Sequence, residues 1–407
     1  MNTRRSFGLF RIIAPFSFNF ELQRFLGSIG TLVWVPMQWM LRRDNMQIRS
    51  VKVYVIEPAE TLSKGFIFCR VETEDGTIGW GEAYAIPRRE RGIAEYVKGL
   101  GGMLMALGDV SPESFRKNVT RWYDEGHLSI DMSSAASAVD LALWDLRGKQ
   151  TGKPLCDLLG DVVRRSFPIY ANMDPLSPGE SIDCLVGRCT AAVQRGFNAV
   201  KIYPMEYSPL DQATECVRRV REAIGADTRL LIDIWALDDV QDALDAAEAF
   251  APFNPFWFEE PIAGERHDEM AEIRRRIDMP VVTGERQMGM HHFRAVLDKQ
   301  AADILNPDIA GVGGIQDIIE IARLAESYGI AVAPHNWNST LVATAAMVHT
   351  AAVISNALIG EYFPKFEPFC SGIGRLDMDI SNSVVTIGDA PGLGVHMDED
   401  ALARYAF

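Results

Sequence analysis

Residues 230–285 read LLIDIWALDDVQDALDAAEAFAPFNPFWFEEPIAGERHDEMAEIRRRIDMPVVTGE. Within this stretch Asp233 ends the apolar run LLID, Glu259 ends FWFE and Glu285 ends VVTGE. Both steps are 26 residues, the length of one strand, one helix and their connections. The rhythm continues on either side. Candidate strands fall at Ile169–Met173, Ala199–Tyr203, Leu230–Ile234, Phe256–Glu259, Val281–Glu285, Asp303–Asn306, Ile330–Ala333 and Ala357–Glu361, and helix-period stretches such as IQDIIEIARLAESY (Ile315–Tyr328) separate them. Eight such units predict a parallel (β/α) barrel, because parallel neighbours need a long crossover that antiparallel strands do not. A doubly wound open sheet would place G-x-G-x-x-G after its first strand, and none is present there.

Upstream the pattern changes. From Met46 the run MQIRSVKVYVI alternates, and strand-like segments at Gly65–Thr73 and Thr77–Ala83 flank Glu74-Asp75-Gly76, a hairpin signal. Ala135–Lys149 has the small-residue composition of a closely packed helix. These elements predict an α+β unit over 46–161, followed by the barrel over 162–375 and a tail over 376–407. Residues 1–45 carry six basic and two acidic residues and six scattered phenylalanines, with no uninterrupted apolar span for a membrane helix. Their start, Thr3-Arg4-Arg5-Ser6-Phe7, is like a twin-arginine export signal, but Arg11 interrupts the apolar stretch and no A-x-A site comes after it. We expect this segment to lie outside the fold, which begins at Met46.

Forty basic against 55 acidic residues give a net charge of −15, the wrong sign for a protein that neutralises nucleic-acid phosphates. A small-molecule partner is expected, with no nucleic acid and no membrane. The six cysteines form no C-x-x-C pair, so neither a disulfide framework nor a thiolate metal site is indicated; a reducing, cytoplasmic setting and a homo-oligomer are the expectation.

Barrel enzymes place their chemistry at the carboxyl ends of the strands. One acid there is an ordinary solvated residue, but three in phase inside apolar strands repel one another unless a cation joins them. Three oxygen donors without Cys or His suit Mg²⁺, so Asp233, Glu259 and Glu285 are candidate ligands. Asp308 follows ADILNP and His335 sits in AVAPHN, one unit of 27 residues later. Neighbouring strands would bring the two within hydrogen-bond reach, an oriented general base. Lys201 and Tyr203 face one side of the second strand, and Glu361 ends the eighth.

From about Met46 to Phe407 these motifs resemble the mandelate racemase subgroup of the enolase superfamily: WFEEP, TGER, Asn306-Pro307-Asp308 with Gly313-Gly314, PHN, and the tail PGLGVHMDEDALARY. The resemblance implies a modified TIM-type barrel under an α+β capping domain that the C-terminal tail completes. It also implies Mg²⁺ on Asp233, Glu259 and Glu285, an Asp308–His335 dyad, and Glu361 hydrogen-bonded to the substrate carboxylate. Two departures stand out. The family's K-x-K is here Lys201-Ile-Tyr203, so the second lysine, the usual opposite-face base of racemases, is missing; the frequent D-x-N is here Asp233-Ile-Trp235.

The resemblance further implies abstraction of the proton α to a carboxylate by His335, with Lys201 and a protonated Glu361 donating to the growing charge and Mg²⁺ as electrophile. One base suffices for β-elimination but not for racemisation. The expectation is therefore an acid-sugar dehydratase forming a 2-keto-3-deoxy acid, and the alternative is a racemase, epimerase or cycloisomerase with Tyr203 as second base. Arg88-Arg89-Glu90-Arg91 would reach the distal carboxylate of a diacid, or form an ordinary solvated loop.

Overall fold

The computed structural model describes residues 46–56, 64–124, 126, 128–177, 179–206, 208–338 and 340–406, and the expectations for residues 1–45 lie outside them. The described chain opens with an antiparallel meander of β1 (Met46–Ile56), β2 (Phe66–Thr73) and β3 (Ile78–Ala83), with β4 (Asp109–Val110) added beside β1. The β2–β3 turn forms where Asp75 accepts hydrogen bonds from Thr73 Oγ1 at 2.6 Å and Thr77 N at 3.0 Å, and Gly76 takes a φ of 82°. β2 reads FIFCRVET without alternation because both its faces are covered. Ile67, Cys69 and Val71 join the helices of the capping domain, while Phe66 packs on Phe366 and Phe369 at ring separations of 5.2 and 5.1 Å.

Helices α1 (Glu90–Leu107), α2 (Pro112–Asp124) and α3 (Ile130–Thr151) complete this domain. α3 begins at Ser129, whose side chain accepts from Met132 N, and ends at Gly152 in the left-handed region. Its alanine- and serine-rich middle lets β3 approach until backbones touch. A Cβ on Gly81 would stand 1.8 Å from Ala138 O, so only glycine fits there. On its other side Asp140 accepts a hydrogen bond from Ile315 N at 2.9 Å, and a Cβ on Gly314 would meet Asp140 Oδ2 at 2.5 Å. Gly314 thus lets the capping helix seat directly on the barrel, and Gly313 N donates to Ser137 Oγ of that helix at 2.9 Å.

Eight parallel strands form that barrel: β5 (Ser166–Asn172), β6 (Ala199–Ile202), β7 (Arg229–Asp233), β8 (Trp257–Glu259), β9 (Val281–Thr283), β10 (Ile304–Leu305), β11 (Ala331–Val332) and β12 (Gly360–Tyr362). β12 pairs with β5, and Val332 exchanges hydrogen bonds with Asn356 and Leu358, which closes the ring. One residue from each strand or its flank (Tyr170, Ala199, Leu231, Trp257, Val282, Ile304, Ala333 and Ile359) fills the interior as a separate apolar cluster. The tail first adds a hairpin, Met378–Ser381 with Val384–Ile387, antiparallel to β5. Its last helix, Glu399–Tyr405, returns to the capping sheet, where Glu399 accepts from Tyr54 OH at 2.7 Å and Arg70 Nε at 2.6 Å. All six cysteines are free. Among the described residues no helix is long and apolar enough to cross a membrane.

Candidate active site

The carboxyl ends of the barrel strands converge on one buried polar cluster. Register explains part of it: Asp233 pairs with Glu259 across β7 and β8, and Asn172 with Lys201 across β5 and β6. Lys201 Nζ lies 2.8 Å from Glu361, 2.9 Å from Glu259 and 3.2 Å from Asp233, and is sealed from solvent above the Tyr170 ring. Burial alone would lower its pKa, but Glu259 and Glu361 carry the ammonium well above its ordinary value. Glu259 also accepts from Trp257 Nε1 at 3.0 Å and Asn306 Nδ2 at 2.9 Å.

His335 closes the other side. Its Nδ1 lies 2.7 Å from Asp308 Oδ2, and its Nε2 lies 3.0 Å from Glu285 and 3.2 Å from Glu361. Asp308 and His335 sit just beyond the strand ends and face each other as an isolated parallel bridge. Asp308 accepts in addition from Ala310 N at 2.7 Å and Trp337 N at 3.1 Å, which fixes the carboxylate behind the ring. Burial opposes protonation of the imidazole, yet Glu361, Glu285 and Asp308 raise its pKa well above the ordinary value. Nδ1 is the nitrogen turned to Asp308, so Nε2 is the one turned to the cluster.

Two residues with roles expected from the sequence, Glu361 and Tyr203, stand beside this pair. Against the cost of burial, the charges of His335 and Lys201 hold the Glu361 carboxyl down to about 2, and Asn172 Nδ2 and Asn336 N donate to it at 2.5 and 3.0 Å. The Tyr203 hydroxyl accepts from Asn172 Nδ2 at 2.7 Å, and burial pushes its phenol well above 10 despite Lys201, the direction opposite to that a base requires.

A divalent cation fits this donor set. Burial pushes Glu259 well above the carboxylate range and Asp233 up to about 6, with neighbouring carboxylates adding to the effect, so positive charge among them would be favourable. Candidate ligand atoms of Glu259, Glu285 and His335 lie within 4.8 Å of one another. Asp233 faces Lys201, and its Oδ1 accepts from Trp235 N at 3.0 Å. Trp235 and Ala236 have φ of 55° and 68°, a strained turn that leaves the indole 47% exposed beside Asp233.

The His335 loop is fastened to the capping domain. Trp337 Nε1 donates to Ala85 O at 3.1 Å, Asn338 Nδ2 to Ala83 O at 2.6 Å, and Thr340 and Ala343 N to buried Glu82. Lys64, also buried, donates to Asn338 Oδ1 at 2.7 Å with its ammonium 4.2 Å from the Trp337 ring.

Two family models cover most of the chain: the N-terminal domain of mandelate racemase and muconate lactonizing enzymes over residues 44–160, and the enolase C-terminal domain-like model over 185–401. The chain belongs to the mandelate racemase subgroup of the enolase superfamily. This enolase-superfamily member is 31% identical over 383 residues to the D-galactarolactone cycloisomerase of Agrobacterium fabrum, covering 88% of this chain and 99% of the relative. It is 27% identical over 402 residues to the D-gluconate dehydratase of Thermoproteus tenax, covering 93% and 78%. A solved structure of an enolase from the environmental genome shotgun sequencing of the Sargasso Sea superposes with a TM-score of 0.85 at 35% identity, over 89% of this chain and 97% of that one.

Sequence reasoning singled out the charged members of the cluster apart from Arg286, which lies 3.2 Å from Glu285, and buried Glu260 beside them. It passed over Asn172 and quoted Trp257 and Asn306 only within motifs, without a role, although Asn172 ends its strand as the acids do and was open to the same argument. Arg88, Arg89 and Arg91 are exposed, and Arg89 lies 3.4 Å from Asp131 of its own domain, as a solvated loop would.

Proposed function

We propose that this enolase-superfamily enzyme is a Mg²⁺-dependent dehydratase of an acid sugar, an aldonate or aldarate, releasing a 2-keto-3-deoxy acid. The observation that carries the reading is the asymmetry of the site: one oriented imidazole, His335 on Asp308, and across the cluster a tyrosine whose phenol burial has made a weaker acid. The relative named D-gluconate dehydratase supports the substrate class.

Asp233, Glu259 and Glu285 would hold the metal. When bound it supplies electrophilic pull on the substrate carboxylate and so acidifies the α-proton. In its neutral form, favoured once a bound cation offsets the charge of Glu285, His335 Nε2 takes that proton while Asp308 keeps Nδ1 protonated and the ring in place. Lys201 donates to the oxygen on which charge accumulates, held there by Glu361 and Glu259. Glu361, an acceptor in this geometry, orients Lys201 and His335 rather than donating a proton. The imidazolium then protonates the departing β-hydroxyl on the same face. Asn172 fixes the Tyr203 hydroxyl, which leaves Tyr203 a binding role.

A cycloisomerase is the second reading, favoured by the relative named D-galactarolactone cycloisomerase, which this chain matches over 99% of its length. Incubating the protein with Mg²⁺ and a library of aldonates, aldarates and their lactones separates the two. Loss of one water with appearance of a 2-keto-3-deoxy product supports the dehydratase. Consumption of a lactone with no change in mass replaces it by the cycloisomerase.

A further inference from the structure

One polar group at this site has no place in the roles above. Tyr84 follows β3, and its backbone N–H donates to Ala310 O at 2.9 Å, so this capping residue is tied to the barrel loop just after Asp308. A Cβ on Gly311 would lie 3.4 Å from Tyr84 Cβ, which shows how flat the side chain lies on that loop. Its ring centroid is 6.3 Å from that of His335, with the planes at 39°. The charges acting most on the phenol are those of Glu285, Asp308, Arg286 and Glu361, all members of the cluster.

Syn elimination through a single imidazole imposes a geometric demand. The proton taken from the α-carbon must return to the β-oxygen, so that oxygen has to sit on the His335 face before the C–O bond breaks. Nothing assigned so far places it there. Lys201, Glu361 and Asn172 are bonded to one another, and Asp308 stands behind the ring.

We propose that Tyr84 binds the β-hydroxyl of the substrate and holds it beside His335 Nε2; the inference rests on the dehydratase reading and deepens it. A phenol with a pKa near 10 or above carries its proton at neutral pH, so Tyr84 is a donor to an oxygen that gains charge as it leaves. In the step, the α C–H electron pair becomes the α,β double bond and the β C–O pair leaves on oxygen. That oxygen takes the proton held by His335 and departs as water. Tyr84 keeps its own proton, the imidazole returns to neutral, and the enol product ketonises.

The test is Tyr84→Phe, which keeps the ring against Gly311 and His335, read with an acid sugar that the wild-type protein dehydrates. Melting temperature and circular dichroism remain as in the wild type. In D₂O the variant still exchanges the α-proton within about threefold of the wild-type rate, while product formation falls about a hundredfold, so exchange outruns elimination. A 3-deoxy aldonate, with no β-hydroxyl to hold, binds both proteins within about twofold. Exchange and elimination falling together would make Tyr84 a support for His335 and overturn the proposal, and so would a variant as active as the wild type. A wild-type protein that exchanges the α-proton of acid sugars without eliminating, or leaves all of them untouched, refutes the dehydratase reading before any variant is made, and this inference with it.

Discussion

Asp308 Oδ2 approaches His335 Nδ1 to 2.7 Å while the same carboxylate is pinned by the backbone N–H groups of Ala310 and Trp337. An acid with three partners has little freedom to turn, so the imidazole it holds keeps one tautomer and one orientation. Asp308→Asn should lower kcat by about 10²-fold or more, since the amide can present N–H to Nδ1 and invert the tautomer. Mg²⁺ affinity by titration calorimetry should stay within about threefold, because Asp308 is not among the proposed ligands. A matching loss of metal binding would assign Asp308 to the metal site instead.

Glu259 is bonded to Lys201, Trp257 and Asn306. Glu259→Gln keeps its size but removes a charge from the proposed ligand set, and turnover should fall about 10³-fold or more. EDTA should abolish wild-type activity and added Mg²⁺ restore it, with the far-ultraviolet spectrum unchanged throughout. Full turnover in excess chelator would remove the metal from the mechanism.

Asp140 sits in α3 against the barrel, where it accepts from Ile315 N. Burial pushes its carboxyl up to about 8 from an ordinary 3.8. For a raised acid the sign is clear: the folded state holds the proton after the unfolded chain has lost it, so stability is full below about pH 4 and declines as pH rises toward 8. Asp140→Asn mimics the protonated form and still accepts from Ile315 N. Its melting temperature relative to wild type should therefore climb by several degrees between pH 4 and pH 8.5. A constant offset would place the pH-sensitive group elsewhere.

Gly81 has no room for a methyl group. Gly81→Ala should cost about 3 kcal/mol or more through overpacking of β3 on α3, seen as a lower urea midpoint at unchanged slope. An alteration within about 0.5 kcal/mol would mean the two elements separate freely.

The barrel and its acids were legible because each strand repeats one device, an apolar run that stops at a polar residue. That signal placed Asp233, Glu259, Asp308, His335 and Glu361 without any knowledge of helix packing. Strand lengths were less legible: β10 and β11 are two residues each, where the apolar runs suggested four, because a run of buried residues does not reveal where ladder bonding ends. Tyr84 and Lys64 could not have been found by periodicity. Tyr84 reaches the loop after Asp308 and Lys64 the His335 loop, each from the capping domain across more than 200 positions of chain, and only domain docking makes them neighbours. The downward pull on the Glu361 pKa was equally hidden, since it depends on His335 and Lys201 standing on either side of it.

The return of the tail to the capping sheet bears on how the molecule is made. Glu399 binds Tyr54 and Arg70, and Ala406 bridges to Ile56, separations of more than 300 residues. β1 and β2 are among the first described elements to leave the ribosome, and Arg70 then has Glu72 at 2.9 Å, whereas Glu399 joins it only after the barrel has been made. Until then part of β1 lacks its cover, so the helix Glu399–Tyr405 acts as the clasp of translation: the capping domain is completed only after the barrel has been synthesised.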